Sequence, residues 1–248
     1  MDLLEREACF ADLAKWLGTA VQHGGGVVLL SGEAGIGKTA LLREFAQRQG
    51  QARVLWGACD ALFTPRPLAP LHDVASQTQG SLLAAIHSIA NPGAVFATAL
   101  AELQRERTLL VFEDMHWADE ASLDLLTFLG RRIHRTHTLL VASYRDDELG
   151  EQHPLRLVIG GLPRAATSRL SLAPLSEAAV ARLAAQVGRP SKNLHRITGG
   201  NPLFVTEVLA AAADAVPATV RDAVLARAAR LSPAARALAE LVCVVPGK

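Results

Sequence analysis

The sequence predicts an α/β fold, a central parallel sheet flanked by helices, followed by a smaller all-helical part. Three observations predict it. Short apolar runs of strand length, at 27–30, 109–112 and 138–143, alternate with segments of helical periodicity. Their interiors are near-continuous apolar runs, as expected of strands covered on both faces of a parallel sheet. Beyond Ser176 the strand pattern stops and alanine-rich helical segments take over.

In chain order, residues 3–21 place Leu13, Leu17 and Val21 at helical spacing and end at the breaker Gly24, Gly25, Gly26. A first strand at 27–30 runs into a glycine-rich turn. A helix over 39–49 and a second strand at 53–56 follow. Pro65, Pro67 and Pro70 make 62–71 a loop, and helices are expected over 71–79, 82–90 and 95–105. The third strand is 109–112, and a helix over 122–132 starts behind an Asp119 cap. Strands at 138–143 and 168–172 complete the sheet. Helices are then expected over 176–187, 202–213, 216–230 and 233–244, the last with Ser232 as cap and Pro233 at the first helical position. The expected boundaries are 1–174 for the sheet domain, 175–232 for a helical lid and 233–248 for the start of a further helical region. The apolar stretch 238–245 has no cap of its own, so it either docks back or belongs to a longer protein.

Half of the 248 residues are hydrophobic and a fifth are charged, which is ample for a sizeable core. The 25 basic and 24 acidic residues leave a net charge of +1, so bulk charge points to neither nucleic acid nor an anionic membrane. Cys9, Cys59 and Cys243 are far apart, lack metal-ligand spacing and read as buried, reduced thiols. With no signal peptide and no long apolar span, a soluble, cytoplasmic protein is expected.

The chemistry is concentrated in a few stretches. Gly32, Glu33, Ala34, Gly35, Ile36, Gly37, Lys38 and Thr39 match G-x-x-x-x-G-K-[ST] in full, between a strand and a helix, as in a P-loop NTPase. Glycines let the backbone curl so that N–H groups, through Ala40 at the helix start, point at phosphate oxygens. Lys38 adds positive charge for the β- and γ-phosphates, and Thr39 offers a hydroxyl to Mg2+. The third strand ends in Glu113 and Asp114. Adjacent strand residues point to opposite faces, so one acid would hold the metal's water shell and the other would orient a nucleophilic water. Arg145, at the end of the fourth strand, could reach a γ-phosphate or simply pair with Asp146 or Asp147. Gly199, Gly200, Asn201 and Pro202 break the chain and restart it as a helix. Arg131 to Arg135 reads as a solvated helix end, His134 and His137 are too isolated for zinc, and His116 with Trp117 reads as a hydrogen-bonded histidine beside a packed aromatic.

Together, Leu4-Glu5-Arg6-Glu7, GEAGIGKTALL, CDALFTPRPLAPL, LLVFEDMHWADEASLDLL, SYRDDEL and TGGNPLFVTEVL resemble the AAA-type ATPase module of the STAND class of signal-transduction ATPases. The similarity is greatest to large LuxR-type transcriptional regulators. The resemblance implies ATP/ADP and Mg2+ as cofactors, an acid-bearing strand separated from the phosphate-loop strand by the Arg145 strand, and a winged-helix region beginning near the C-terminus. It also implies Arg6 near the adenine end, Arg145 as γ-phosphate sensor and Pro202 against the base. Glu5 stands where relatives often have glycine, and Glu113-Asp114 where many have two aspartates or aspartate then glutamate.

The function implied is a switch that binds ATP and slowly hydrolyses it to ADP and phosphate, with repeat and DNA-binding domains outside these residues. Rivals are a metabolic phosphotransferase, a ring-forming ATPase acting on nucleic acid as a nucleotide-dependent homo-oligomer, and a scaffold with structural ADP. No membrane partner is expected, and no direct nucleic-acid site is visible.

Overall fold

The computed structural model describes residues 3–64, 66–88, 91–211, 221–222, 224–225, 228–229 and 231–244. The chain divides into two compact units, Met1–Ala173 and Pro174–Lys248.

The first unit is built on five parallel strands: β1 (Gly26–Ser31), β2 (Arg53–Ala58), β3 (Thr108–Glu113), β4 (Thr138–Tyr144) and β5 (Thr167–Ser171). Their order is β2-β3-β4-β1-β5. β4 therefore separates β3 from β1, as the resemblance implies. Leu30 lies opposite Ser143 and Phe112 opposite Ala142, so the carboxyl ends of β1, β3 and β4 finish at one edge. In open parallel sheets that edge is where ligands bind.

The two-residue strand period sorts the core into two layers. Val27, Leu29, Leu110, Phe112 and Leu140 pack with α3 (Ala69–Thr78), α4 (Gly80–His87), α5 (Pro92–Leu103), α6 (Glu120–Arg132) and α7 (Pro154–Gly161). Val28, Leu30, Leu109, Val111 and Val141 pack with α1 (Glu7–His23) and α2 (Lys38–Gln47), whose Leu13, Leu17, Leu41, Leu42 and Phe45 are fully buried. Every residue of β3 and β4 is buried, which explains their unbroken apolar runs. Each such side chain contributes about 1.5–3 kcal/mol by leaving water.

Local chemistry sets the ends. Asp119 caps α6, accepting from the N–H groups of Ala121 and Ser122 at 3.0 and 3.4 Å. α3 begins inside the proline-rich loop because Pro70 sits in its first turn, where a missing N–H costs nothing. A side chain at Gly57 would meet the Pro70 carbonyl oxygen at 2.1 Å, so glycine permits β2 and α3 to approach. α7, with Pro154 in its first turn behind a His153 cap, has no counterpart among the expected helices.

In the second unit, α8 (Glu177–Gln186) is capped by Ser176, whose hydroxyl accepts from Ala179 N–H at 3.2 Å. α9 (Leu194–Thr198) is followed by α10 (Pro202–Ala210), where Asn201 accepts from Leu203 N–H at 3.1 Å. A Cβ at Gly200 would lie 2.2 Å from the Leu175 carbonyl oxygen, so that position takes only glycine. α11 (Pro233–Val244) starts behind Ser232, as the sequence predicts. The helix expected over 216–230 falls largely outside the described residues.

Candidate functional site

β1 delivers the chain into a loop with positive φ at Gly32 (148°), Gly35 (79°) and Gly37 (100°). At Gly37 the demand is purely conformational, because a side chain there would meet nothing within 4 Å. Gly37 closes the loop and α2 starts at Lys38 with no side-chain cap, so its first-turn N–H groups are available to an anion. Lys38 is buried, and its Nζ donates to the carbonyls of Gly32 (2.5 Å) and Glu33 (3.0 Å) across the loop mouth. Burial draws its pKa below that of an ordinary lysine, against the pull of the Asp114 carboxylate.

The loop and the acidic strand end are in direct contact. Thr39 Oγ1 donates to Glu113 Oε1 at 2.5 Å. The second oxygen of Glu113 accepts from the indole Nε1–H of Trp56 at 2.9 Å. Trp56 did not emerge from the sequence. Its signal is the β2–β3 register: Ala58 lies opposite Glu113, and Trp56, two residues earlier, shares the face of Ala58.

The strand ends at Glu113, and Asp114 turns out of it with φ 54° and ψ 42°. Its N–H donates to Ser143 Oγ at 3.2 Å, tying the end of β3 to β4. Burial raises the Asp114 pKa; Arg145 opposes that shift and neighbouring Glu113 adds to it.

Arg145 pairs with neither Asp146 nor Asp147. Its Nη1 meets Glu148 Oε1 at 2.6 Å, and its guanidinium carbon lies 4.6 Å from the centre of the Trp117 ring. His116 also packs against Trp117, ring centres 4.4 Å apart and ring planes tilted by 42°. The expectation of a hydrogen-bonded histidine needs correction here. Both ring nitrogens are buried without a hydrogen-bond partner, Nδ1 standing 3.8 Å from Asp114 and Nε2 3.7 Å from Glu148. Burial pushes its pKa down to about 4, so the ring is neutral at pH 7.

Arg6 is buried and braces the loop, donating to the carbonyls of Ile36 (3.3 Å) and Ala173 (2.9 Å). Glu5 before it has φ 57°, the left-handed conformation that glycine adopts most readily. Pro202 opens α10 in the second unit. Of the cysteines, Cys59 is buried, Cys9 half-buried and Cys243 exposed, so the expectation of three buried thiols fails at Cys243.

Thr39, Glu113 and Asp114 offer only oxygen donors, which suits Mg2+. No group of three or more His, Cys, Asp or Glu among the described residues could hold a metal, so an ion here would lean on phosphate and water oxygens. A cavity of about 200 Å³ borders Trp117, lined among others by Cys59, Asp60, His72 and Asp73. No helix among the described residues is long and apolar enough to cross a membrane.

Residues 2–142 match the family described as AAA ATPase domain. An uncharacterized protein of Rhizobium meliloti (strain 1021) is 28% identical over an alignment of 240 residues that covers 74% of this chain and 22% of that protein. The chain thus spans about a fifth of that relative's length. A Signal Transduction ATPase with Numerous Domains protein with a tetratricopeptide repeat sensor, from Pyrococcus horikoshii, superposes with a TM-score of 0.53 at 16% identity, covering 88% of this chain and 32% of that one. Cdc6p from Pyrobaculum aerophilum gives a TM-score of 0.53 at 17% identity, over 73% of this chain and 48% of its own. At these identities the likeness is one of fold.

Proposed function

This chain belongs to the AAA ATPase domain family, and from that premise we propose that it is an ATP-binding, slowly ATP-hydrolysing switch module of a signal-responsive transcriptional regulator. The observation that carries the reading is the 2.5 Å contact between Thr39 and Glu113, which joins a curled glycine loop to an acidic strand end. The regulator context rests on the order of the sequence stretches that resemble large LuxR-type proteins.

Gly32 to Ala40 cradle the phosphates through backbone N–H groups, and Lys38 exchanges its carbonyl partners for phosphate oxygens. Thr39 and Glu113 hold Mg2+, partly through water; when bound, the ion neutralises phosphate charge. Asp114, its pKa raised by burial, holds the attacking water and takes up its proton. Arg145 leaves Glu148 to meet the γ-phosphate, so ATP and ADP are held differently. Arg6 fixes the loop from behind through the Ile36 carbonyl.

A nucleotide-holding scaffold is the second reading, favoured by one observation: both oxygens of Glu113 are engaged, by Thr39 and Trp56. Undetectable turnover with co-purified ADP supports that alternative, and phosphate release without an added acceptor separates either from a phosphotransferase. The test of the nucleotide site is titration of ATP and ADP, with Mg2+, against the wild type and Lys38→Ala. Equal affinity in the two proteins refutes the assignment.

A further inference from the structure

We propose that Gln77 of α3 is a positioning residue for Glu113: it locks the backbone of Trp56, and the Trp56 indole in turn aims the carboxylate. The proposal rests on the nucleotide reading above and extends it to a helix which that reading does not use.

β2 lies at one edge of the sheet. The N–H groups of Arg53 and Cys59 turn inward and donate to the carbonyls of Arg107 and Glu113, both at 3.0 Å. By the two-residue alternation, those of Trp56 and Ala58 face the open edge, where strand groups are ordinarily left unpaired. Here α3 fills that edge. Ala58 N–H donates to Asp73 Oδ2 at 3.1 Å, and Trp56 N–H donates to Gln77 Oε1 at 2.9 Å. Gln77 Nε2 donates to the carbonyls of Trp56 and, at 3.0 Å, of Asp73. With its oxygen facing an N–H and its nitrogen facing two carbonyls, the carboxamide fits in one orientation. It engages Trp56 at donor and acceptor together, as a residue of a neighbouring strand would.

Trp56 stands between that clamp and the site. Its indole Nε1–H donates to Glu113 Oε2 at 2.9 Å, while Thr39 holds the other carboxylate oxygen. In the β2–β3 register Trp56 lies opposite Val111 and Ala58 opposite Glu113. The indole therefore reaches two residues forward, about 7 Å along the strand, to meet the carboxylate. A side chain extended that far magnifies any tilt of the backbone that carries it, and Gln77 opposes such tilt at both polar groups of residue 56. The grip on phosphate is a separate matter, because Lys38 is held by carbonyls of its own loop. Gln77 should thus influence what Glu113 does during hydrolysis and leave nucleotide affinity alone.

The test compares the wild type, Gln77→Met, Trp56→Phe and the double variant in three readings. These are affinity for ADP and a non-hydrolysable ATP analogue with Mg2+, single-turnover phosphate release from ATP, and hydrogen exchange of the Trp56 indole N–H. The indole resonance is identified by its loss in Trp56→Phe. Met keeps the length and helix propensity of Gln and removes its donors and acceptor. Gln77→Met should leave both affinities within about two-fold and change release about two-fold, in the direction that Trp56→Phe sets. Exchange of the indole proton should quicken by about five-fold. With Trp56→Phe already present, Gln77→Met should change release no further. Unaltered indole exchange, unaltered or oppositely altered release, a loss of affinity, or a Gln77 effect that persists beside Trp56→Phe overturns the proposal. If Met at 77 prevents folding, Gln77→Glu, which has the shape of Gln without its N–H donors, decides by the same readings. A wild type that binds no nucleotide, or binds it without releasing phosphate, defeats the underlying reading instead; the indole exchange then decides the role of Gln77 by itself.

Discussion

The two sides of the phosphate edge differ in how completely their polar groups are satisfied. On the loop side, Lys38 and Glu113 are buried and each makes two hydrogen bonds of 3.0 Å or less. On the Arg145 side, one short ion pair is flanked by a buried imidazole whose nearest carboxylates stand at 3.7 and 3.8 Å. A fully bonded cluster changes only by trading one partner for another, as Lys38 would when phosphate oxygens replace its carbonyls, whereas a cluster with unmet donors can shift at little cost. The loop side is thus suited to gripping any nucleotide, and the Arg145 side to telling one nucleotide from another.

The largest effect expected from this contrast is on the gripping side. Lys38→Ala should lower the affinity for ATP and ADP alike, by about 100-fold, because the lost charge contacts phosphates present in both. A selective loss of ATP alone would erase the distinction between the two sides. Acidity supplies a milder version of the same test. The pKa of Lys38 is lowered by burial, while bound phosphates favour its charged form, so binding takes up a proton once pH exceeds the free-state pKa. Affinity should therefore fall as pH rises, beginning below the range of an exposed lysine near 10.4, by about 10-fold or more. Calorimetry in buffers of different ionisation enthalpy measures that proton uptake directly. Binding without proton uptake at alkaline pH would place Lys38 away from the phosphates.

On the discriminating side, Arg145→Ala should weaken ATP about 10-fold and leave ADP within about two-fold, as expected for one charge-assisted contact offset by the ion pair it replaces. Competition between the two nucleotides measures the ratio without requiring turnover. An unchanged ratio would make Arg145 a partner of Glu148 and nothing more.

These two sides were unequally visible in the amino-acid order. The phosphate loop is a contiguous motif, and the strands around it declare themselves because their centres, buried on both faces, are apolar runs, 109–112 in β3 and 139–142 in β4. The caps at Asp119, Ser176 and Ser232 are equally local, since a cap and its N–H partners lie within three residues. What stayed hidden depends on tertiary placement. Glu148 outcompetes the nearer Asp146 and Asp147 for Arg145 because of how the chain turns after β4, and spacing alone does not rank them. His116 reads as an ordinary packed histidine until the positions of Asp114 and Glu148 show its nitrogens unserved. α7 is short, with Pro154 in its first turn, and its apolar residues include an exposed Leu157, which blurs the periodicity.

The smallest effect expected tests whether the gripping side is as fixed as its hydrogen bonds suggest. Trp56→Phe removes the indole donor to Glu113 Oε2 and keeps an aromatic on β2, whose backbone at residue 56 is held by Gln77 through its N–H and carbonyl. One hydrogen bond to a carboxylate is worth about 1.5–3 kcal/mol, but Glu113 keeps the Thr39 hydroxyl and gains mobility, so the net change should be smaller. Nucleotide affinity should move by less than about two-fold, while phosphate release under single-turnover conditions changes by about three-fold. The direction is informative. Faster release would mean that Trp56 holds Glu113 back from the reaction, and slower release that it aims the carboxylate. A large loss of affinity would show instead that Trp56 shapes the phosphate loop through Thr39, making the gripping side dependent on a single contact from β2.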